Sequence, residues 1–165
     1  MKVVVDSSVL ISLSAINQLE LLRKRFSEVT IPQAVQEEVV IEGKGQPGSQ
    51  EVKSSNWIRV QEVKDRSFVR LLEVELDRGE SEAIALAREL NADLVLLDEK
   101  DARSRAKRVG LRILGTIGIL IWAKKTRHIC NLQEQLDALR DKAKFRIIPG
   151  LYEQALKSVS ESTYH

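Results

Sequence analysis

Apolar residues in this chain fall into two kinds of run. Short unbroken stretches rich in β-branched residues alternate with longer ones in which apolar positions recur every three or four residues. Val3 to Val5 is of the first kind and predicts a central strand buried on both faces. Val9, Leu10 and Leu13 then share one side of a helix that Ser7 or Ser8 can cap. Leu19, Leu22 and Phe26 place a second helix over residues 18–26. A brief strand at residues 29–31 leads to Pro32, which suits the first turn of a helix passing through Val35, Glu38 and Val39 to a stop at Gly43. Residues 43–49, rich in glycine, read as a surface loop. Residues 57–60 read as an edge strand, 68–76 as a helix ended by Asp77, Arg78 and Gly79, and 80–90 as a helix with Ala83, Ile84, Ala87 and Leu90 on its apolar face. Leu94 to Leu97 is the second strongly buried strand. Ala102, Ala106 and Val109 line the next helix, which Gly110 terminates. Residues 111–114 predict a strand, 116–125 and 132–139 helices, and 145–148 a last strand before a short C-terminal helix.

This alternation predicts an α/β domain with a mostly parallel sheet and helices on both faces. Its crossovers should be right-handed. Residues 1–150 carry the pattern. Residues 151–165 read as a C-terminal helix and tail, part of the same domain or partly disordered. At 165 residues the chain can bury a proper core. The net charge of +2 decides little by itself. The single cysteine, Cys130, excludes an internal disulfide and a cysteine-based zinc cluster, and fits a reducing cytoplasm. The apolar start is only Val3 to Val5 before a charge, which gives no signal peptide. No apolar run approaches the roughly 20 residues that span a bilayer, so no membrane association is expected.

The chemistry lies in where the carboxylates fall. Asp6 closes the first buried run and Asp98 the second. In an open α/β sheet the carboxyl ends of the strands mark the ligand crevice. Either aspartate can cap the helix after it, but Ser7 and Ser8 can do that work for Asp6. Glu38 lies three residues after Val35 and one before Val39, beside the buried face of its helix. Glu80 and Glu82 follow Gly79 at a helix start, where the helix dipole favours acids. A helical wheel puts Glu80 next to Ile84 and Ala87 and turns Glu82 toward the flank by Leu86, so Glu80 is the inward group and Glu82 the second choice. Glu99 and Asp101 read as first-turn acids, Glu99 being the nearer to Asp98. Carboxylates that converge in a cleft repel one another and resist ionisation unless a cation joins them. All-oxygen ligation favours Mg²⁺ or Mn²⁺; His128 and His165 stand apart and take no ligand role. Such a site can activate water for phosphodiester hydrolysis.

Lys100, Arg103, Arg105, Lys107, Arg108 and Arg112 crowd the segment after Asp98. Most form a solvated face. Arg103, one turn from Asp98, can pair with a carboxylate or grip a substrate phosphate in bidentate fashion. Lys124, Lys125 and Arg127 form a second basic stretch. Contacts of this kind give affinity without sequence specificity. No aromatic platform for base stacking is visible, since Trp57 and Trp122 read as core or interface. Thr116 sits at a strand-to-helix turn near the site, where helix capping is the simpler account. Arg103, Thr116 and Ser7 are the substrate-binding candidates.

Four segments in order resemble the PIN-domain family: the strand ending Val4-Val5-Asp6-Ser7-Ser8; Pro32, Val35 and Glu38; Gly79-Glu80-Ser81-Glu82-Ala83-Ile84; and Leu97-Asp98-Glu99 with Ala102, Arg103 and Ala106, followed by Gly110-Leu111 and Gly115-Thr116. The resemblance runs to about Lys125. It is closest to the prokaryotic proteins similar to VapC-type toxins. It implies a three-layer α/β/α fold and a metal-dependent endoribonuclease. The implied ligands for Mg²⁺ or Mn²⁺ are Asp6, Glu38, Glu80 or Glu82, and Asp98, with Glu99 standing where many of the subgroup have Asp. The commoner PIN pattern has an Asp at the third helix start, which leaves the two glutamates open. The resemblance further implies RNA as substrate, a small antitoxin protein as partner, and a homodimer through helices near the N-terminal half. Leu10, Leu13, Ile16, Leu19 and Leu22 suit either that interface or the core.

Other α/β enzymes fit less well. A dehalogenase-like phosphatase needs a second Asp two residues after the first, and that position is Ser8. Asp6 and Asp98 do not reproduce the acidic layout of a phosphoacceptor receiver domain. The rival of a different class is a catalytically inactive PIN-like scaffold for protein or RNA.

Overall fold

The computed structural model describes residues 1–161; the end of the expected tail, with His165, lies outside the described residues. Five parallel strands form one sheet: β1 (Val3–Val5), β2 (Val29–Pro32), β3 (Ile58–Gln61), β4 (Leu94–Leu96) and β5 (Ile113–Leu114), in the order β3-β2-β1-β4-β5. β1 pairs with β4 through Val5 opposite Leu96, and with β2 through Val4 opposite Thr30. From β1 the chain winds one way to β2 and β3, and the other side of β1 is filled by β4 and β5. The order therefore reverses between β1 and β4, the switch point at which α/β sheets hold ligands beyond their carboxyl ends.

Strand alternation divides the core. Val3 and Val5 of β1 and Leu96 of β4 face one helical layer. It contains α1 (Ser7–Ala15), α2 (Glu20–Phe26), α8 (Thr116–Lys125), α9 (Leu132–Lys142) and α10 (Pro149–Ser158). Val4, Val95 and Leu97 face the other, made of α5 (Arg66–Leu72), α6 (Arg78–Glu89) and α7 (Lys100–Arg108). This is the three-layer α/β/α arrangement. Leu10, Leu13, Ile16, Leu19 and Leu22 all lie inside the first core and are buried by this chain itself. α10 packs on the same layer and buries Ala155 and Leu156.

The helix expected over Val35 and Glu38 is short α3 (Gln33–Gln36), continued by a π-helical segment, Glu37–Glu42. Its wider turn is seen in the Gly43 amide donating to the Glu38 carbonyl at 2.9 Å, five residues back. Pro32 ends β2 and occupies the cap position of α3 instead of its first turn. A short α4 (Ser49–Lys53) closes the glycine-rich loop, with the Glu51 carboxylate accepting from the Gly48 amide at 3.2 Å.

Two further expectations are corrected. Residues 145–148 form no strand: Lys144 turns the chain at φ 52°, and the Phe145 amide donates back to the Leu139 carbonyl at 3.0 Å, closing the end of α9. Asp77 does not end a helix but starts one. Its Oδ1 accepts from the Glu80 amide at 2.8 Å while Glu80 Oε1 accepts from the Asp77 amide at 3.2 Å, a reciprocal capping box.

α6 is tied to α3 by Glu82, which is 2% exposed. Its Oε1 accepts from the Ala34 amide at 3.0 Å, and its Oε2 from Arg66 at 3.0 Å. Glu82→Ala leaves the buried Ala34 N–H without an acceptor, and unfolding in urea should show a loss of about 2–3 kcal/mol. Glu82→Gln keeps an acceptor at that place and should lose roughly half as much.

Candidate active site

Asp6 leaves β1 at the switch point. Its amide donates to the Leu96 carbonyl at 3.0 Å, which holds it in the sheet while its side chain enters the crevice. It occupies the cap position of α1, yet its carboxylate makes no capping bond. Ser8 donates to Oδ2 at 3.2 Å. Oδ1 is buried and has no hydrogen-bond partner among the described residues. Ser7 and Ser8 lie inside α1 and do not cap it.

The π-helical segment brings Glu38 to the same place, and Gly79 lets it in. A Cβ at residue 79 would stand 3.2 Å from Glu38 Oε1, 3.6 Å from Asp6 Oδ1 and 3.6 Å from Val35. Any side chain there would wedge between the two carboxylates. Glu80, the next residue, is 8% exposed. Burial, opposed in part by the Ser7 amide and reinforced by the charges of Glu80, Asp77 and Glu38, pushes Asp6 up to about 7. Burial and the Asp77 charge, with smaller effects of Glu99 and Glu38, push Glu80 up to about 7 as well. The cluster is thus Asp6, Glu38 and Glu80, joined by Asp77.

Asp98 stands at the end of β4 but belongs to a neighbouring constellation. Its Oδ1 accepts from the Thr116 amide at 2.7 Å and its Oδ2 from the Thr116 hydroxyl at 2.6 Å. Burial raises its pKa, and the Thr116 bonds and the Arg103 charge oppose that rise. Arg103 donates from Nη1 to the Leu97 carbonyl at 2.9 Å. Gly115 makes room for this group, since a Cβ there would lie 2.8 Å from Arg103 Nη1 and 3.0 Å from Asp98 Oδ1.

The structure therefore brings together Asp6, Glu38 and Glu80, and sets Asp98 at the end of the neighbouring strand, held by Thr116. Two candidates have oxygens engaged by the fold. Glu82 has both, with Ala34 and Arg66. Glu99 is exposed, and its Oε2 caps α7, accepting from the amides of Asp101 at 2.7 Å and Ala102 at 3.1 Å, while its charge still reaches Glu80. Thr116 is fully buried and gives both its amide and its hydroxyl to Asp98; Ser7 is buried beside Asp6 in the chain. Asp77 is the acid that the sequence reading missed. Its signal in the sequence is an Asp three residues before Glu80, although Gly79 makes the same stretch resemble a helix end.

Among the described residues, no group of three His, Cys, Asp or Glu side chains is placed so that it could hold a metal ion as it stands. The fit to a cation rests instead on the orphaned Oδ1 of Asp6, the gap at Gly79 that admits a second carboxylate, and an all-oxygen donor set. Trp57 is buried in the core, and Trp122 stacks on His128 at 4.9 Å with Arg25 over its ring at 5.3 Å. Among the described residues no helix is long and apolar enough to cross a membrane.

A family model described as a PIN domain matches residues 2–161. No curated protein sequence matches this chain. Among solved structures, a PilT N-terminus domain protein, SSO1118, from the hyperthermophilic archaeon Sulfolobus solfataricus P2 is similar to it. The TM-score is 0.51 at 20% identity, over 74% of this chain and 93% of that one. At that identity the likeness is one of fold.

The raised acids make a stability prediction. Asp6 and Glu80 ionise near 3.8 and 4.5 when free and at about 7 in the fold. The metal-free native state therefore holds protons that the unfolded chain releases, so this contribution is full below about pH 4 and is lost as pH rises toward about 7. The Tm of EDTA-treated protein should fall between about pH 5 and pH 8. Asp6→Asn should flatten that fall and gain on the order of 2 kcal/mol at the upper end.

Proposed function

We propose, because the chain belongs to the PIN-domain family, that it is a divalent-metal-dependent endoribonuclease of the prokaryotic subgroup similar to VapC-type toxins. PIN domains are typically nucleases that use divalent metals, so a nuclease-type function follows from membership. The observation that carries the finer reading is the buried, unpartnered Oδ1 of Asp6 among other acids at the sheet's switch point. A carboxylate in that position needs a cation or a proton, and the donors around it are all oxygens.

Asp6, Glu38 and Glu80 would hold Mg²⁺ or Mn²⁺. A divalent cation bound there supplies Lewis acidity at a phosphate oxygen and lowers the pKa of a water, the nucleophile for phosphodiester cleavage. The chain's own residues do the rest. Thr116 fixes Asp98 in one rotamer through two bonds, so its carboxylate meets a substrate or ligand already oriented. Arg103 anchors one nitrogen on the Leu97 carbonyl and keeps its remaining donors for a phosphate. Asp77 holds Glu80 by the capping box and adds negative charge that favours cation binding.

The reading extends to a toxin working in the cytoplasm with a small antitoxin protein. The exposed free Cys130 suits a reducing compartment. A homodimer would have to use a face other than the buried N-terminal leucines. Leu71 and Val74, 63% and 80% exposed, supply apolar surface for one. One observation favours the alternative, a catalytically inactive scaffold: among the described residues no group of three His, Cys, Asp or Glu side chains is placed so that it could hold a metal ion.

Titration with Mn²⁺ by calorimetry and cleavage of labelled RNA decide between them. The enzyme should bind Mn²⁺ more tightly at about pH 8 than at about pH 6, because cation and proton compete for the same carboxylates. Cleavage should need Mn²⁺ and stop with EDTA. Asp6→Asn, Glu80→Gln and Asp98→Asn should each lower kcat/KM by about 10²–10³. Glu82→Gln should lower Tm and cost no more than about tenfold in activity. Absence of Mn²⁺ binding and of cleavage would establish the scaffold.

A further inference from the structure

The acidic crevice lies beyond the carboxyl ends of the strands, and another cavity lies at their amino ends. It has a volume of about 300 Å³ and is formed where α1 ends, α2 begins and α4 runs on to β3. Leu19, just before α2, and Trp57, just before β3, give it apolar wall. The charged part of its lining is acidic: Glu20 and Glu51 contribute carboxylates, and no lysine or arginine stands among the described residues that line it.

Ser14 adds a polar group that the fold leaves unused. It lines the cavity, is 4% exposed, and its Oγ is buried without a hydrogen-bond partner among the described residues. A buried hydroxyl in that position is costly until something binds it. Gly48 leaves the oxygen uncovered, since a Cβ there would stand 3.5 Å from it. The Gly48 amide donates to Glu51 Oε2 at 3.2 Å, so the unpartnered hydroxyl and a carboxylate flank the same residue. The remaining hydroxyls narrow the chemistry. Ser54 donates to the Gln50 carbonyl at 2.8 Å and Ser55 to the Glu51 carbonyl at 2.5 Å, so both turn lone pairs outward. Glu20 gives one oxygen to Arg23 at 3.3 Å, an exposed pair that holds weakly. This lining repels an anion, and it offers a neutral polyol acceptors where donors are needed. An alkylammonium group brings three donors and no acceptor, and its methylenes suit the surface of Leu19 and Trp57.

We propose that this cavity binds a small aliphatic diamine, one ammonium group at Glu51 and Ser14, the other at Glu20, with the methylenes between them against Leu19 and Trp57. The volume stands at the low end of small-molecule sites, about 300–1,000 Å³. The site does not rest on the nuclease reading, since α1 separates it from Asp6.

The test titrates the full chain with linear diamines of three to six carbons. Calorimetry follows the unaltered protein, and fluorescence follows Trp122→Phe, in which Trp57 is the remaining tryptophan. At least one diamine should saturate at one per chain and shift the Trp57 emission. Butylamine, with one charge, should bind about tenfold more weakly, and 1,4-butanediol should not bind. Glu20→Gln and Glu51→Gln should each weaken diamine binding by about tenfold. Ser14→Ala should weaken it by roughly fivefold and yet raise the Tm of the free protein, because the hydroxyl removed has no partner there. Asp6→Asn should leave diamine affinity unchanged, which separates this cavity from the acidic crevice. Binding that is lost in Asp6→Asn and kept in Glu51→Gln belongs to the crevice and overturns the proposal. So does the absence of saturable binding by every diamine, or equal binding of 1,4-butanediol. Diamine binding that needs Glu51 and Ser14, in a protein that neither takes up Mn²⁺ nor cuts RNA, upholds this site and removes the nuclease.

Discussion

β1 lies between β2 and β4 and is covered by helices on both faces, so the residue that follows it leaves the strand inside the protein. That residue is Asp6. A carboxylate there gives up its water, and its nearest charged neighbours are acids too. Helix starts supply the partial compensation. Asp6 stands at the start of α1, Glu80 in the first turn of α6, Glu99 at the start of α7, and Asp98 accepts from the first amide of α8. Unpaired N–H groups and the positive ends of helix dipoles therefore meet where the strands end. Parallel topology forces this meeting, because each strand hands its chain to a helix at the same edge. The compensation is incomplete: Oδ1 of Asp6 keeps no partner, and Asp6 and Glu80 both remain pushed up to about 7.

Local hydrogen bonds sort the acids by task. An acid with both oxygens engaged by distant parts of the fold is structural, however close in sequence it lies to the site, and Glu82, held by Ala34 and Arg66, is such an acid. Glu80 and Glu99 each give one oxygen to the amides of a helix start. Asp98 is intermediate, since the bonds from Thr116 restrain it at the edge of the crevice. Asp6 is left over, and an unengaged buried oxygen is the strongest mark of a group held for a ligand. Two glycines make the sorting possible by leaving space rather than by bending the chain: Gly79 admits Glu38 beside Asp6, and Gly115 admits Arg103 beside Asp98.

How far this could be read from sequence depends on how local each cause is. β1 is legible because three successive β-branched residues bury both faces, and Asp6 is legible because it ends that run. Asp98 is legible for the same reason at β4. The choice between Glu80 and Glu82 is not, since both fall near the buried side of α6, and only the distant Ala34 amide and Arg66 decide which one turns away. Asp77 has a local signal, the capping box, but the glycine two residues on suggests a helix end just as readily. Phe145 is the opposite case. Its alternating neighbours look like a strand, and its place beside Asp98 depends on a turn at Lys144 and on packing against α8 and α10. An aromatic group brought to the site by the far end of the chain leaves no trace in any short window.

The ligand-free cluster also carries an energetic cost that bears on the proposed metal-dependent function. Unneutralised, Asp6 and Glu80 weaken the native state as pH approaches neutrality, because folding must hold protons that solvent would take. A protein that only displays a surface gains nothing from this penalty, and replacing Asp6 with an amide of the same shape would relieve it. A protein that binds a divalent cation recovers the penalty on binding, since the cation replaces the protons. Stability and ligand affinity are then set by the same few oxygens. That coupling is what the proposal of a metal-dependent nuclease requires of these residues.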